Sequence, residues 1–225
     1  IQNIGAYGVE LSERFDSLEV THKATGDVRR MDLSDCQFGY RDSFFKQSGQ
    51  DEYIITAVSF RLSAKPDICI EYPALKQALM KLHTQLQMKH GQSFHEILTP
   101  KMISDIVSSI RRSKLPDPAI IPNAGSFFKN PVISLEAETA LKKEYPDITS
   151  YDLYNGNMKI AAGYLIEKAG WKGFQRNGVG VHDQQALVLV NLGGSGYELL
   201  SLASDIQASV LEKFGIALEI EPRVY

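Results

Sequence analysis

Ser126 and Lys129 lie within the run Asn123-Ala124-Gly125-Ser126-Phe127-Phe128-Lys129-Asn130-Pro131, which gathers a hydroxyl, amides and an ammonium around a flexible glycine. These are groups that bind or react with a polar ligand. A loop built only to turn would keep its glycine, asparagine and proline. It has no reason to add two adjacent phenylalanines and a lysine beside one serine, and loops positioned by a rigid scaffold often carry function. The same residues also suit a Phe-anchored turn, and the run alone leaves both readings open.

A second candidate is Cys36-Gln37-Phe38-Gly39-Tyr40-Arg41-Asp42-Ser43-Phe44-Phe45-Lys46, too aromatic for a solvated loop and too polar for a plain core strand. Arg41, framed by Tyr40 and Asp42, can hold a carboxylate bidentately while the neighbouring ring restricts its rotamers; an Arg41–Asp42 surface pair fits the pattern equally. Tyr72 and Lys114 could each meet an anion, although each alone reads more readily as a surface side chain. Glu221, two residues after Glu219 in Leu218-Glu219-Ile220-Glu221, is either an inward carboxylate or one of two acids on a wet strand face; the pattern favours the wet face. Of the histidines, His182 stands out beside Gln184 and Gln185 at a strand entrance, whereas His83, His90 and His95 sit in helical, polar surroundings.

Composition narrows the class. A chain of 225 residues can bury a substantial core in one large or two small domains. Its formal net charge of -3 and pI near 6.0 provide no general polyanion-binding surface, so nucleic acid is not an expected partner. Cys36 and Cys69 make neither a disulfide framework nor a metal-ligand cluster, which points to a reducing compartment, the cytoplasm, and to no metal. No apolar run approaches the roughly 20 residues that span a bilayer, so no membrane association is expected. No P-loop, Gly-x-Gly-x-x-Gly after a strand, His-Glu-x-x-His or Gly-x-Ser-x-Gly is present, which removes the commonest nucleotide, zinc-protease and hydrolase readings. Both ends read as cut, so a fragment of a longer protein is expected.

The elements that must position these groups follow from periodicity. Residues 18–22, 28–33 and 53–62 read as antiparallel strands, with a turn at Ala24-Thr25-Gly26-Asp27 and punctuation at 32–35. Residues 72–92 read as a helix with Leu75, Leu79, Leu82 and Leu86 on one face, and 99–112 as another with Thr99 as N-cap and Pro100 at the first helical position. Leu115-Pro116-Asp117-Pro118 is the expected linker. Beyond it, helices are expected over 135–145, 159–169 (closed by Gly170) and 197–214, and strands over 186–191 and 217–225. Leu199, Leu202, Ile206, Val210 and Phe214 recur three or four apart, as in a helix lying on a sheet.

Taken jointly, Ile1-Gln2-Asn3-Ile4-Gly5-Ala6-Tyr7-Gly8, Gly39-Tyr40-Arg41-Asp42-Ser43, the serine loop, Gln184-Gln185-Ala186-Leu187 and Leu218-Glu219-Ile220-Glu221 closely resemble one family. They look like the UDP-N-acetylenolpyruvoylglucosamine reductase (UDP-N-acetylmuramate dehydrogenase) family of bacterial cell-wall synthesis, in the subtype that closes a tyrosine loop over substrate. The resemblance runs in order along the whole chain. It implies an α+β fold: residues 1–114 finishing an FAD-binding domain, 115–216 forming a mixed-sheet substrate domain with packed helices, and 217–225 returning as a strand to the first domain. The family's N-terminal flavin-binding portion lies ahead of Ile1 in this alignment of motifs, so weak or no FAD retention is expected of this chain alone.

What the resemblance implies for the site is specific. Ser126 becomes the proton donor, and Arg41 and Glu221 the pair acting on the substrate's carboxylate and enol. Tyr72, Lys114, Asn130 and Gln185 become contacts to the UDP-sugar, with Lys114 facing the diphosphate, and Gln2 and Tyr7 lie by the flavin. NADPH reduces FAD, and the reduced flavin gives hydride to the enolpyruvyl double bond. The protein is expected to act as a monomer on a small UDP-sugar. Two rival readings remain at this stage: a UDP-sugar-binding fragment without activity, and a related flavin oxidase with another substrate.

Overall fold

Phe15, Leu18 and Val20 turn into the core from the central strand of the first sheet, whose register shifts between Phe15 and Ser17. The computed structural model describes residues 1–49, 51–64, 70, 72–90 and 98–224. The chain divides into two units, Ile1–Ile110 and Arg111–Tyr225. In the first, β1 (Gly5–Ala6) and β2 (Val9–Glu10) form a hairpin through Tyr7 and Gly8, whose φ values of 54° and 85° suit a two-residue turn with both central residues left-handed. Strands β3 (Phe15–His22), β4 (Val28–Met31) and β5 (Tyr53–Phe60) then make an antiparallel sheet in the order β4-β3-β5. Phe15, Leu18 and Val20 of β3 are buried with Met31, Cys36 and Phe45.

β4 stops at Met31, two residues short of the expected strand. Asp32 accepts the Ser34 and Asp35 N–H groups, and the Asp35 carboxylate accepts the Asp32 N–H. This capping box starts the short helix Leu33–Cys36 where only punctuation was expected. The helices Pro73–His90 and Pro100–Lys114 fall where the sequence places them. Leu75 and Leu79 are buried, and Thr99 caps the second helix by accepting the Met102 N–H at 3.2 Å. Cys69, Glu71, His95, Tyr225 and the expected helical residues 91–92 lie outside the described residues.

The second unit carries two sheets. One has the order β10-β11-β12-β6, from β6 (Asn123–Ser126), β10 (Gln175–Arg176), β11 (Val179–Val181) and β12 (Val188–Asn191). The other places β9 (Asn157–Ile160) between β7 (Val132–Ser134) and β8 (Ser150–Asp152). The helix expected from residue 159 therefore begins only at Ala162 and ends at Lys168, because Lys159 and Ile160 pair with Val132, Tyr151 and Ser150 instead. A hairpin not foreseen joins β10 to β11 through Asn177 and Gly178, and a Cβ on Gly178 would lie 2.6 Å from the Gly194 nitrogen.

The helix Gly196–Phe214 buries Leu202, Ile206, Val210 and Phe214, the four-residue repeat read from the sequence. Ser195 and Glu198 close a capping box at its start, and Gly215, at φ 66°, ends it. Its apolar face packs with Phe127, Phe128, Ile160, Leu165 and Val179 in one core.

Glu138 is buried at 3% exposure on the helix Leu135–Glu144. The Lys142 ammonium at 2.6 Å, followed by the Ser150 hydroxyl at 2.5 Å, holds its carboxyl below the ordinary value of 4.5. A carboxylate depressed by folding contributes stability that is present above its unfolded pKa and lost as pH falls through the folded one. The second unit is thus expected to lose part of its stability as pH drops below 4.5. Thermal melts from pH 6 to about 3 should show a shallower loss for Glu138→Gln than for the parent; parallel curves would remove Glu138 from that role.

Candidate functional site

In the first unit the candidate groups meet around a turn closed by the Gly39↔Asp42 bridge. Arg41 sits in that turn at φ 54°, a left-handed conformation that costs a side-chain-bearing residue about 1–2 kcal/mol. Its Nη2 donates to the Gly5 carbonyl at 2.6 Å, and its guanidinium stands 5.5 Å from the Tyr40 ring centroid. The carbonyl of Arg41 and the Oε1 of Gln2 both accept from Lys46 Nζ, at 3.3 and 2.7 Å. Asn3 N–H donates to the Asp42 carbonyl, and the buried Ser43 hydroxyl to the Ile1 carbonyl, so residues 1–5 and 39–46 form one hydrogen-bonded assembly.

The structure therefore brings Gln2 and Arg41 together through Lys46. The sequence placed Lys46 inside the candidate stretch without singling it out; its signal was a cation closing an otherwise aromatic run. Tyr7 and Tyr72, read separately as flavin-side and substrate-side residues, stack edge to face at 4.8 Å between centroids. Tyr72 is 41% exposed and directly precedes the helix Pro73–His90.

In the second unit Ser126 ends β6 on the exposed side, paired with Val188, and Gly125 before it has φ 72° with no atom within 4 Å of where a Cβ would point. The loop is anchored as the two rings suggest: Phe127 and Phe128 are buried, and the Phe127 N–H donates to the Leu187 carbonyl at 2.7 Å. The anchored turn is thus present, and it leaves the Ser126 side chain exposed.

The tail joins this loop. Phe128 and Ile220 form an antiparallel bridge, flanked by Lys129 N–H to Glu219 carbonyl and Glu221 N–H to Phe127 carbonyl, each 2.9 Å. Glu221 thus lies across the pairing from the residue next to Ser126, whereas residues 217–224 do not form the continuous strand expected. Ile216 and Leu218 are buried; Glu219 is exposed and Glu221 half-buried, so the two acids share a face but not an environment.

Asn130 and Gln185 converge on another point. Asn130 Oδ1 accepts the Ala162 N–H at 2.9 Å, capping a helix whose own N-cap, Ala161, has no side chain to do so. Gln185 Oε1 lies 3.4 Å from where a Cβ on Gly163 would be, in the first turn of the same helix. Lys114 is exposed at the end of the helix Pro100–Lys114. His182 accepts the Gln184 N–H through Nδ1 at 3.2 Å, which gives it a local turn-forming role. Among the described residues no group of three or more His, Cys, Asp or Glu side chains could hold a metal ion, and no helix is long and apolar enough to cross a membrane.

The fold defined by these elements is α+β and has a counterpart among solved structures. The crystal structure of UDP-N-acetylenolpyruvylglucosamine reductase from Thermus caldophilus superposes over 100% of this chain and 57% of its own with a TM-score of 0.56, at 21% identity, a likeness of fold. Residues 117–225 match the family model described as UDP-N-acetylenolpyruvoylglucosamine reductase, C-terminal domain. The chain is 50% identical over 224 residues to the reductase of that name from Paraburkholderia phytofirmans, and 44% identical over 227 residues to that of Pseudomonas syringae pv. tomato. These matches take in 99% and 100% of the chain, and the chain spans 62% and 63% of the length of those curated relatives. The resemblance read from the sequence therefore stands: the chain is similar along its length to curated UDP-N-acetylenolpyruvoylglucosamine reductases, and residues 117–225 match that family's C-terminal domain.

Proposed function

We propose that this chain supplies the substrate-handling part, and the later part of the FAD-binding domain, of an enzyme that reduces UDP-N-acetylglucosamine enolpyruvate to UDP-N-acetylmuramate for cytoplasmic peptidoglycan precursor synthesis, as a monomer. The observation that supports it most is the pairing of the tail with the serine loop, which joins an exposed hydroxyl and a half-buried carboxyl within one unit.

The first unit's donors suit the implied cofactor: an amide, a guanidinium and an ammonium come together around residues 1–5 and 39–46, a set that fits the acceptor-rich edge of a flavin ring. Gln2 and Tyr7 would hold FAD there. When bound and reduced by NADPH, the flavin supplies hydride.

The chain's own residues do the rest in this reading. Hydride added to the enolpyruvyl double bond sends charge toward the adjacent carboxylate, and preorganised positive charge at Arg41 stabilises it better than water does. Glu221, if protonated, donates to the same group. Ser126 then gives a proton from Oγ to the carbon bearing the ether oxygen; a hydroxyl is a weak acid, but the acceptor is strongly basic. Asn130, Gln185, Tyr72 and Lys114 orient the UDP-sugar, with Lys114 toward its diphosphate.

Stopped-flow on the full-length protein tests this. Added NADPH should bleach the flavin, and UDP-N-acetylglucosamine enolpyruvate should restore its colour with formation of one equivalent of reduced sugar product. Substrate binding by calorimetry with no flavin reoxidation would sink the reductase reading in favour of a binding protein.

A further inference from the structure

We propose that Lys129 is a positioning residue that locks the register of residues 216–221 on the serine loop, so that Glu221 rather than Glu219 is presented beside Ser126. This rests on the role given above to Glu221. The tail Ile216-Ala217-Leu218-Glu219-Ile220-Glu221 alternates apolar and other residues with a period of two. Such a pattern fixes which face turns inward but tolerates a slip by two residues, which keeps every apolar side chain inward.

In the observed register Phe128 faces Ile220, which sets Lys129 opposite Glu219 and Phe127 opposite Glu221. A slip one way would put Leu218 at the place of Ile220 and Glu219 at the place of Glu221. The apolar pattern does not oppose that slip, and the acid needed opposite Phe127 would be present but would be the wrong one. The slip the other way puts Pro222 in the inward place of Ile220 and Arg223 opposite Phe127, so the sequence itself disfavours it.

Lys129 decides the first case. It is a lysine at only 8% exposure, and its ammonium pairs with the Glu219 carboxylate. After the slip it would face Ala217, leaving a buried cation without its partner, which is strongly unfavourable. The same ion pair occupies the charge of Glu219, so the two acids of the tail divide their tasks: Glu219 holds the register and Glu221 faces the site. Lys129 is accordingly no contact to the sugar nucleotide in this reading, despite standing between Ser126 and Asn130.

The test uses the full-length protein with Lys129→Met, and Glu219→Gln as a second variant that keeps the shape of an exposed side chain and so survives if the lysine variant fails to fold. Backbone amide exchange is read at Glu221, whose N–H donates to Phe127, and steady-state kinetics are read beside it. The expected result is faster exchange at Glu221 by about tenfold or more, with kcat down by about 10²-fold and KM for the UDP-sugar changed little, as for a misplaced catalytic group. Unchanged exchange at Glu221 in both variants overturns the register lock. Faster exchange with unchanged kcat overturns its link to catalysis. A parent protein that turns over no substrate defeats the functional reading instead, while the exchange measurement still decides the lock.

Discussion

Ser126→Ala in the full-length protein is expected to leave flavin reduction by NADPH essentially intact and to slow reduction of the enolpyruvyl substrate by about 10²–10⁴-fold, the range for loss of a general acid. The split arises because the two half-reactions ask different things of the site. In the proposed reaction, hydride passing from NADPH to flavin would need no proton from the serine, whereas completing the sugar product would. Ser126 is exposed at the end of β6, and its strand is held by backbone pairing to Val188 and by the two buried phenylalanines that follow, so removing one hydroxyl should not disturb the fold. Single-turnover rates for each half-reaction, measured separately, check this. An equal loss in both would take Ser126 out of the acid role.

Arg41 offers a sharper dissection, because its backbone and its side chain pull in opposite directions. At φ 54° the residue sits where glycine is at ease and any side chain is strained. The side chain meanwhile donates to the Gly5 carbonyl and is proposed to face the substrate carboxylate. Arg41→Gly and Arg41→Ala both delete the guanidinium, and both should lower kcat by about 10²–10³-fold, as when one preorganised charge-stabilising group is lost. Their stabilities should part: the glycine variant should be the more stable of the two by about 1 kcal/mol, since only alanine retains the left-handed strain. Denaturant unfolding of the two proteins gives the comparison. Equal activity of parent and variants would remove Arg41 from catalysis, while an alanine variant as stable as the glycine variant would show that the turn relaxes.

Much of this architecture could be read from residue order. The helix Gly196–Phe214 announced itself through Leu202, Ile206, Val210 and Phe214, because a long amphipathic helix repeats one local rule many times. Pro100 and Thr99 marked a helix start for an equally local reason. Short strands were harder. Residues 157–160 belong to a central strand only because Val132–Ser134 and Ser150–Asp152 come to lie on either side, a fact of tertiary pairing that four residues cannot signal. The short helix Leu33–Cys36 was missed because its start depends on a reciprocal pair of aspartate hydrogen bonds.

For the site, residue types were legible and partners were not. Asn130 reads as a polar loop residue, yet its oxygen closes the end of a helix 32 residues on. Lys129 reads as one of the polar groups of a ligand-binding loop, yet it is buried and paired with Glu219. Alternation favoured the wet face for Glu221, since both acids occupy one parity of the tail, and only the pairing with residues 127–129 separates them.

That pairing joins residues 90 positions apart in the chain. During synthesis the serine loop emerges long before the segment that completes it, and Lys129 must wait in water while the intervening hairpins and helices fold on their own local contacts. Closing so long a loop costs entropy that is recovered only when the distant strand docks. The proposed pairing of Ser126 with Glu221 therefore depends on a contact of long sequence separation, which local folding of either segment alone does not supply.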